Sequence, residues 1–150
     1  MRRLPAFLLV PAILLAGCAP LQSTKGVQDP QHGKEVWIGV TPLRGVQDLG
    51  VNGVAIGHYF SDDTYLATFQ LNVKPPARDM QYQVWLVRMS PLEQINVGEL
   101  TSSTSDARHR LQFSARRDLR EYVKVLVTLE RGKPSKPSLT VIAEGTLQKR

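Results

Sequence analysis

Between Tyr65 and Lys74 the chain alternates with a period of two: Tyr65, Ala67, Phe69, Leu71 and Val73 are apolar, while Thr68, Gln70, Asn72 and Lys74 between them are polar. Side chains of an extended strand point to opposite faces in turn, so this segment reads as a half-buried β-strand, ended by Pro75-Pro76. Residues 122–130 repeat the pattern, with Val123, Val125, Val127 and Leu129 facing one way. Residues 82–87, Tyr-Gln-Val-Trp-Leu-Val, are apolar on both faces and read as a central strand. Trp85, in mid-strand, is expected to pack in a core or on a sheet face. Shorter runs at 36–40, 53–60, 95–100, 111–114 and 139–147 complete the set, with turn compositions such as Ser61-Asp62-Asp63-Thr64 between them. The longest helical candidate, 115–121, is one or two turns. A parallel sheet needs crossover helices, and there is no room for them. The pattern therefore predicts an all-β, antiparallel, immunoglobulin-like β-sandwich of about 7–8 strands.

The first residues carry a different signal. Met1-Arg2-Arg3 is a positive start, residues 4–15 are largely apolar, and Ala16-Gly17 are small residues at a cleavage point. That is the layout of a secretory signal and is shorter than the ~20 residues of an ordinary spanning helix. Leu15-Ala16-Gly17-Cys18 matches the bacterial lipobox, in which the cysteine thiol is diacylated and becomes the first residue of the mature chain. Cys18 is the only cysteine, which also excludes an internal disulfide framework and any multi-cysteine zinc site. We expect residues 1–17 to be a lipoprotein signal peptide, 18–34 a flexible tether rich in Pro, Gly and Ser, and 35–150 the β-domain. Two or three acyl chains anchor stably where one is marginal. The expected location is the cell envelope, at the outer face of the cytoplasmic membrane or at the outer membrane. Ala19 after the cysteine, in place of Asp, suits the latter.

The strands from Tyr82 onward, Tyr82-Gln83-Val84-Trp85-Leu86-Val87, Val97-Gly98-Glu99-Leu100 and Val125-Leu126-Val127-Thr128-Leu129-Glu130, lead through a Gly/Pro-rich loop at 132–137 to a closing strand with Gly145. This succession resembles the extracytoplasmic C-terminal domain of RskA-type anti-sigma factors, over roughly residues 65–145. The resemblance implies a β-sandwich in the envelope and supplies no catalytic residues. Those proteins also carry a cytoplasmic zinc-type region with a His-x₃-Cys-x₂-Cys set, which this chain lacks, so sigma-factor binding is not implied.

Candidate chemistry is sparse. His32, His58 and His109 have no second ligand at metal-site spacing, so no metal or other cofactor is expected. Ser61, Asp62 and Asp63 beside His58 could be imagined as a hydrolase site, yet Asp and Ser also favour a hairpin tip by bonding their own backbone. No nucleophile elbow or phosphate loop is present. The chain has 19 Lys+Arg against 13 Asp+Glu, a net +6. Arg108, Arg110, Arg116, Arg117 and Arg120 crowd one stretch and form a candidate basic binding face. Its expected partners are anionic lipid headgroups, an anionic envelope component or an acidic envelope protein. Nucleic acid is not expected, because the basic residues lack interleaved aromatics. The sequence thus points to a non-enzymatic interaction or sensor module on an envelope lipoprotein. An extracytoplasmic enzyme, or enzyme accessory, acting on envelope polymers is the alternative, and it requires His58 to meet Asp62 or Asp63.

Overall fold

The computed structural model describes residues 27–48, 50–103 and 106–150. The expected signal peptide, Cys18 and the first part of the expected tether lie outside the described residues. The described residues form ten strands: β1 (Gln28–Asp29), β2 (Gly33–Gly45), β3 (Asn52–Phe60), β4 (Tyr65–Asn72), β5 (Met80–Met89), β6 (Leu92–Leu100), β7 (Arg108–Ala115), β8 (Lys124–Arg131), β9 (Val141–Thr146) and β10 (Gln148–Lys149). All pairings are antiparallel, in the order β6-β5-β8-β9-β2-β3-β4-β7, with β1 and β10 added to β2. The sheet is continuous and curls until its two ends meet: Thr101, just after β6, pairs with Arg110 of β7 through two backbone hydrogen bonds of 2.8 and 3.0 Å. The result is a nearly closed barrel. The helix considered at 115–121 does not form. Residues 116–123 are instead a loop whose Leu119 and Tyr122 plug the barrel end, 1% and 2% exposed.

The alternation in the sequence becomes the wall of the core. Ala55, Phe69, Leu71, Val84, Leu86, Val125 and Val127 are buried and pack in one cluster, with Val123 and Leu129 against it. Gly39, Gly57 and Ala67 stand side by side across β2, β3 and β4. This row of small residues leaves space for two large rings, and Trp37 stacks on Tyr65 with centroids 6.1 Å apart. A Cβ on Gly57 would lie 2.5 Å from the Tyr65 hydroxyl and 3.1 Å from the Trp37 ring.

Two segments depart from expectation. β-structure is present before residue 35, because β1 and the start of β2 form a hairpin. Asp29 accepts from the amides of Gln31 and His32 at 2.8 and 2.9 Å, closing the turn that the tether composition concealed. Strand β2 also runs through Pro42 instead of stopping there. Proline has no N–H to donate, and the ladder on the β9/β10 side is interrupted between Val40 and Arg44. Thr41 fills the gap, its Oγ1 accepting the Thr146 amide at 3.1 Å.

Candidate functional site

The turn between β3 and β4 was the one place where catalytic residue types met in sequence. Asp62 Oδ1 accepts the Thr64 amide at 3.0 Å, and Asp63 has a left-handed φ of 65°. These are the features of a tight turn, and Asp tolerates that conformation at low strain. His58 does not meet Asp62 or Asp63. It projects from β3 toward β2, where its Nδ1 lies 2.5 Å from Glu35 Oε1. Asp62 pairs instead with His32 of the β1–β2 turn, at 3.1 Å. Both imidazoles lie beside Phe60, with centroids 5.5 and 6.2 Å away. Ser61 Oγ accepts the Lys34 amide at 3.0 Å. The cluster thus clasps the N-terminal hairpin to the β3–β4 turn. Burial opposes ionisation of Asp62, but hydrogen bonds from His32 and Thr64 outweigh it and hold its carboxyl below the usual 3.8. Sequence reading missed both histidine–carboxylate pairs, since 30 residues separate His32 from Asp62 and 23 separate Glu35 from His58.

His109 is buried at 3% exposure, edge-on to Tyr82 with centroids 5.4 Å apart and with Nδ1 3.1 Å from the Ala107 carbonyl. Among the described residues no group of three or more His, Cys, Asp or Glu is placed to hold a metal ion.

The five arginines of the basic stretch separate into two groups. Arg108 and Arg110 lie on β7 and face outward, with no carboxylate in ion-pair reach among the described residues. Arg116, Arg117 and Arg120 belong to the loop at the far end of β7, and each meets an acid. Arg120 grips Asp118, its Nη2 2.6 Å from Oδ2, and lies 4.6 Å over the Tyr59 ring. The hydrogen bonds from Arg120 hold the Asp118 carboxyl low. Arg117 reaches Glu93 at 3.8 Å and donates to the Tyr122 hydroxyl at 3.1 Å, while Arg116 lies 4.0 Å from Asp62. Arg88, which sequence reading did not single out, stacks on Tyr122 at 5.1 Å and pairs with Glu93 and Glu121. This loop is a cross-braced plug with most of its charge compensated.

Trp85 is 1% exposed but stands outside the central core cluster. Its neighbours on β5 alternate: Val84 and Leu86 belong to the core cluster, and Trp85 lies on the opposite face of the strand. Its Nε1–H donates to Thr128 Oγ1 at 2.9 Å, the Thr128 hydroxyl donates to Glu130 Oε1 at 2.5 Å, and the Ser138 amide donates to the same oxygen at 2.8 Å. Asn96 Nδ2 donates to the Pro134 carbonyl at 3.1 Å, tying the loop to β6. A second, polar-lined core of buried Trp85, Thr128 and Glu130 thereby sits outside the barrel interior, with the 132–139 loop anchored to it through Ser138.

No family model, curated protein or solved structure matches this chain.

Proposed function

We propose that this chain is a bacterial envelope lipoprotein, acylated at Cys18, whose β-domain is a non-enzymatic interaction or sensor module. The observation that carries the reading is Leu15-Ala16-Gly17-Cys18 behind a short apolar segment, with the thiol being the chain's only one. The β-domain supports it from the other side. The residues that suggested a hydrolase are spent on holding a turn and a hairpin together: His58 on Glu35, His32 on Asp62 and Ser61 on the Lys34 backbone. We read the barrel as a flattened one, the form in which the expected immunoglobulin-like sandwich and the RskA-like strand succession would both be satisfied. Inner side chains of β3 and β4, such as Ala55 and Leu71, share one cluster with Val84 of β5 and Val127 of β8.

The test is Cys18→Ser in the native host. Serine cannot form the thioether, so the variant is expected to lose the acyl chains and leave the membrane fraction, or to persist uncleaved. Recovery of a cleaved, acylated, membrane-bound Cys18→Ser chain would sink the proposal.

A further inference from the structure

The outer face of β2 and β3, with Leu66 of β4, carries a run of apolar residues where a solvated sheet face is normally polar. Register pairs place Ile38 beside His58 and Leu66, Val40 beside Ile56, and Pro42 beside Val54. None of Ile38, Val40, Pro42, Val54, Ile56 and Leu66 belongs to the barrel core or packs against it, and all retain exposure. They form one contiguous patch, beside a shallow depression of about 220 Å³ whose floor includes Val54 and Ile56. Contiguous apolar surface, where it is extensive enough, serves as an interaction site.

The edge of the patch is cationic. Arg44, Asn52, Asn72 and Arg108 form the next cross-strand row, and Arg110 stands beside Gln70. Arg44, Arg108 and Arg110 are exposed and have no ion-pair partner among the described residues, and the acid next along the row, Glu144 beside Arg44, is paired with Lys124 at 3.1 Å. The far end of the patch adjoins the start of the described chain, for the Val27 carbonyl accepts the Glu35 amide at 2.9 Å. Val27 and Val36 are 67% and 44% exposed there. Cys18 precedes Val27 by nine residues, a reach of at most about 30 Å.

We infer that this face of β2–β3–β4, with its rim of Arg44, Arg108 and Arg110, docks on the anionic membrane surface to which Cys18 is tethered. The inference rests on the acylation proposed above. An apolar centre that sinks among headgroups and a basic edge that meets lipid phosphates are what interfacial binding combines. An acidic protein groove would match the rim but gives no reason for the tether to leave beside the patch. The rim keeps Arg108 and Arg110 of the five arginines expected to form a basic face; the other three, Arg116, Arg117 and Arg120, each meet an acid at the far end of β7.

The experiment uses the full acylated chain in vesicles of equal parts phosphatidylglycerol and phosphatidylcholine. With Cys18 acylated, a cysteine introduced by Thr68→Cys, next to Ile56 in register, is the sole free thiol and carries an environment-sensitive fluorophore. A Ser135→Cys label, on the loop over β5 and β8 across the barrel, is the comparison. We expect the label at position 68 to shift to the blue and to be quenched by nitroxide lipids, while the one at 135 stays in water. Replacing Arg44, Arg108 and Arg110 by Gln is expected to weaken docking by about fivefold per arginine, with near-ultraviolet dichroism unchanged. Flotation reads the anchor separately: a chain that floats with its label at 68 unquenched overturns the docking and leaves acylation standing. A chain that fails to float overturns the acylation on which the docking rests. Quenching at 135, equal quenching in purely phosphatidylcholine vesicles, or a blue shift that tracks self-association in place of lipid would each overturn it too.

Discussion

Thr128→Val is the sharpest probe of the second core. The two side chains have nearly the same shape, so the substitution removes a hydroxyl without opening a cavity. Thr128 is fully buried, at 0% exposure, and its hydroxyl is used twice, as acceptor from Trp85 Nε1–H and as donor to Glu130. Valine leaves the indole N–H unpaired in a site that water does not reach, at about 1–3 kcal/mol. It also takes from the Glu130 carboxylate one of its two donors, leaving only the Ser138 amide. Bonds to a charged group contribute about 1.5–3 kcal/mol each. The expected loss is therefore about 3 kcal/mol or more, a large share of the ~5–15 kcal/mol of a typical domain. At about 4 °C per kcal/mol, Tm should fall by about 12 °C. Thermal unfolding followed by tryptophan fluorescence and near-ultraviolet dichroism measures it. Thr128→Ser keeps the oxygen and should lose less than about 1 kcal/mol. In a double-mutant cycle with Trp85→Phe, the two losses should fall short of adding, since Thr128→Val has already removed the bond. A Thr128→Val chain melting within about 2 °C of wild type would refute the reasoning and mean that the network is wet or unimportant.

Three further outcomes are expected. Gly57→Ala should destabilise, because its new methyl would lie 2.5 Å from the Tyr65 hydroxyl and 3.1 Å from the Trp37 ring, so these must shift; overpacking of this kind costs about 1–3 kcal/mol, read by urea unfolding. Tyr65→Phe should raise stability in the same assay, since the Tyr65 hydroxyl is buried with no hydrogen-bond partner among the described residues and burial pushes its pKa up. The carboxyls of Asp62 and Asp118 have folded-state pKa values below their unfolded ones, so their stabilisation is present above about pH 4 and lost as pH falls through the folded values. The Thr64 amide, bonded to Asp62, should report this by NMR with a midpoint below 3.8, and a midpoint at or above that value would contradict the assignment.

Strands were legible where one face had to fill a core. Val125 and Val127 alternate because their neighbours face outward, and both are fully buried. The closure of the sheet left no local mark, because β5 pairs with β8 and β2 with β9 across long stretches of chain, and nothing in a strand's own residues names its partner. Strand β1 was hidden by its length of two residues. The basic stretch misled for a geometric reason. A strand advances ~3.4 Å per residue, so Arg108 and Arg116 sit about 27 Å apart at opposite ends of β7 despite being neighbours in composition. The apolar outer face was half visible, since residues 36–40 and 53–60 are apolar at both parities.

The pairing of β2 with both β9 and β10 bears on how the barrel comes together in time. Arg44 is matched with Glu144, a hundred residues further along, and Gly39 with Lys149. Hairpins such as β3–β4 and β5–β6 can form from nearby residues, but the wall between β2 and β9 requires the ends of the domain to find each other. High contact order of this kind slows folding to milliseconds or seconds, because loop entropy is lost before the contact rewards it. Until the C-terminal strands arrive, one flank of β2 has open backbone groups beside an apolar surface, the condition in which chains pair with one another instead of with themselves. A chain with this topology is better served by late, concerted closure than by folding as it is made.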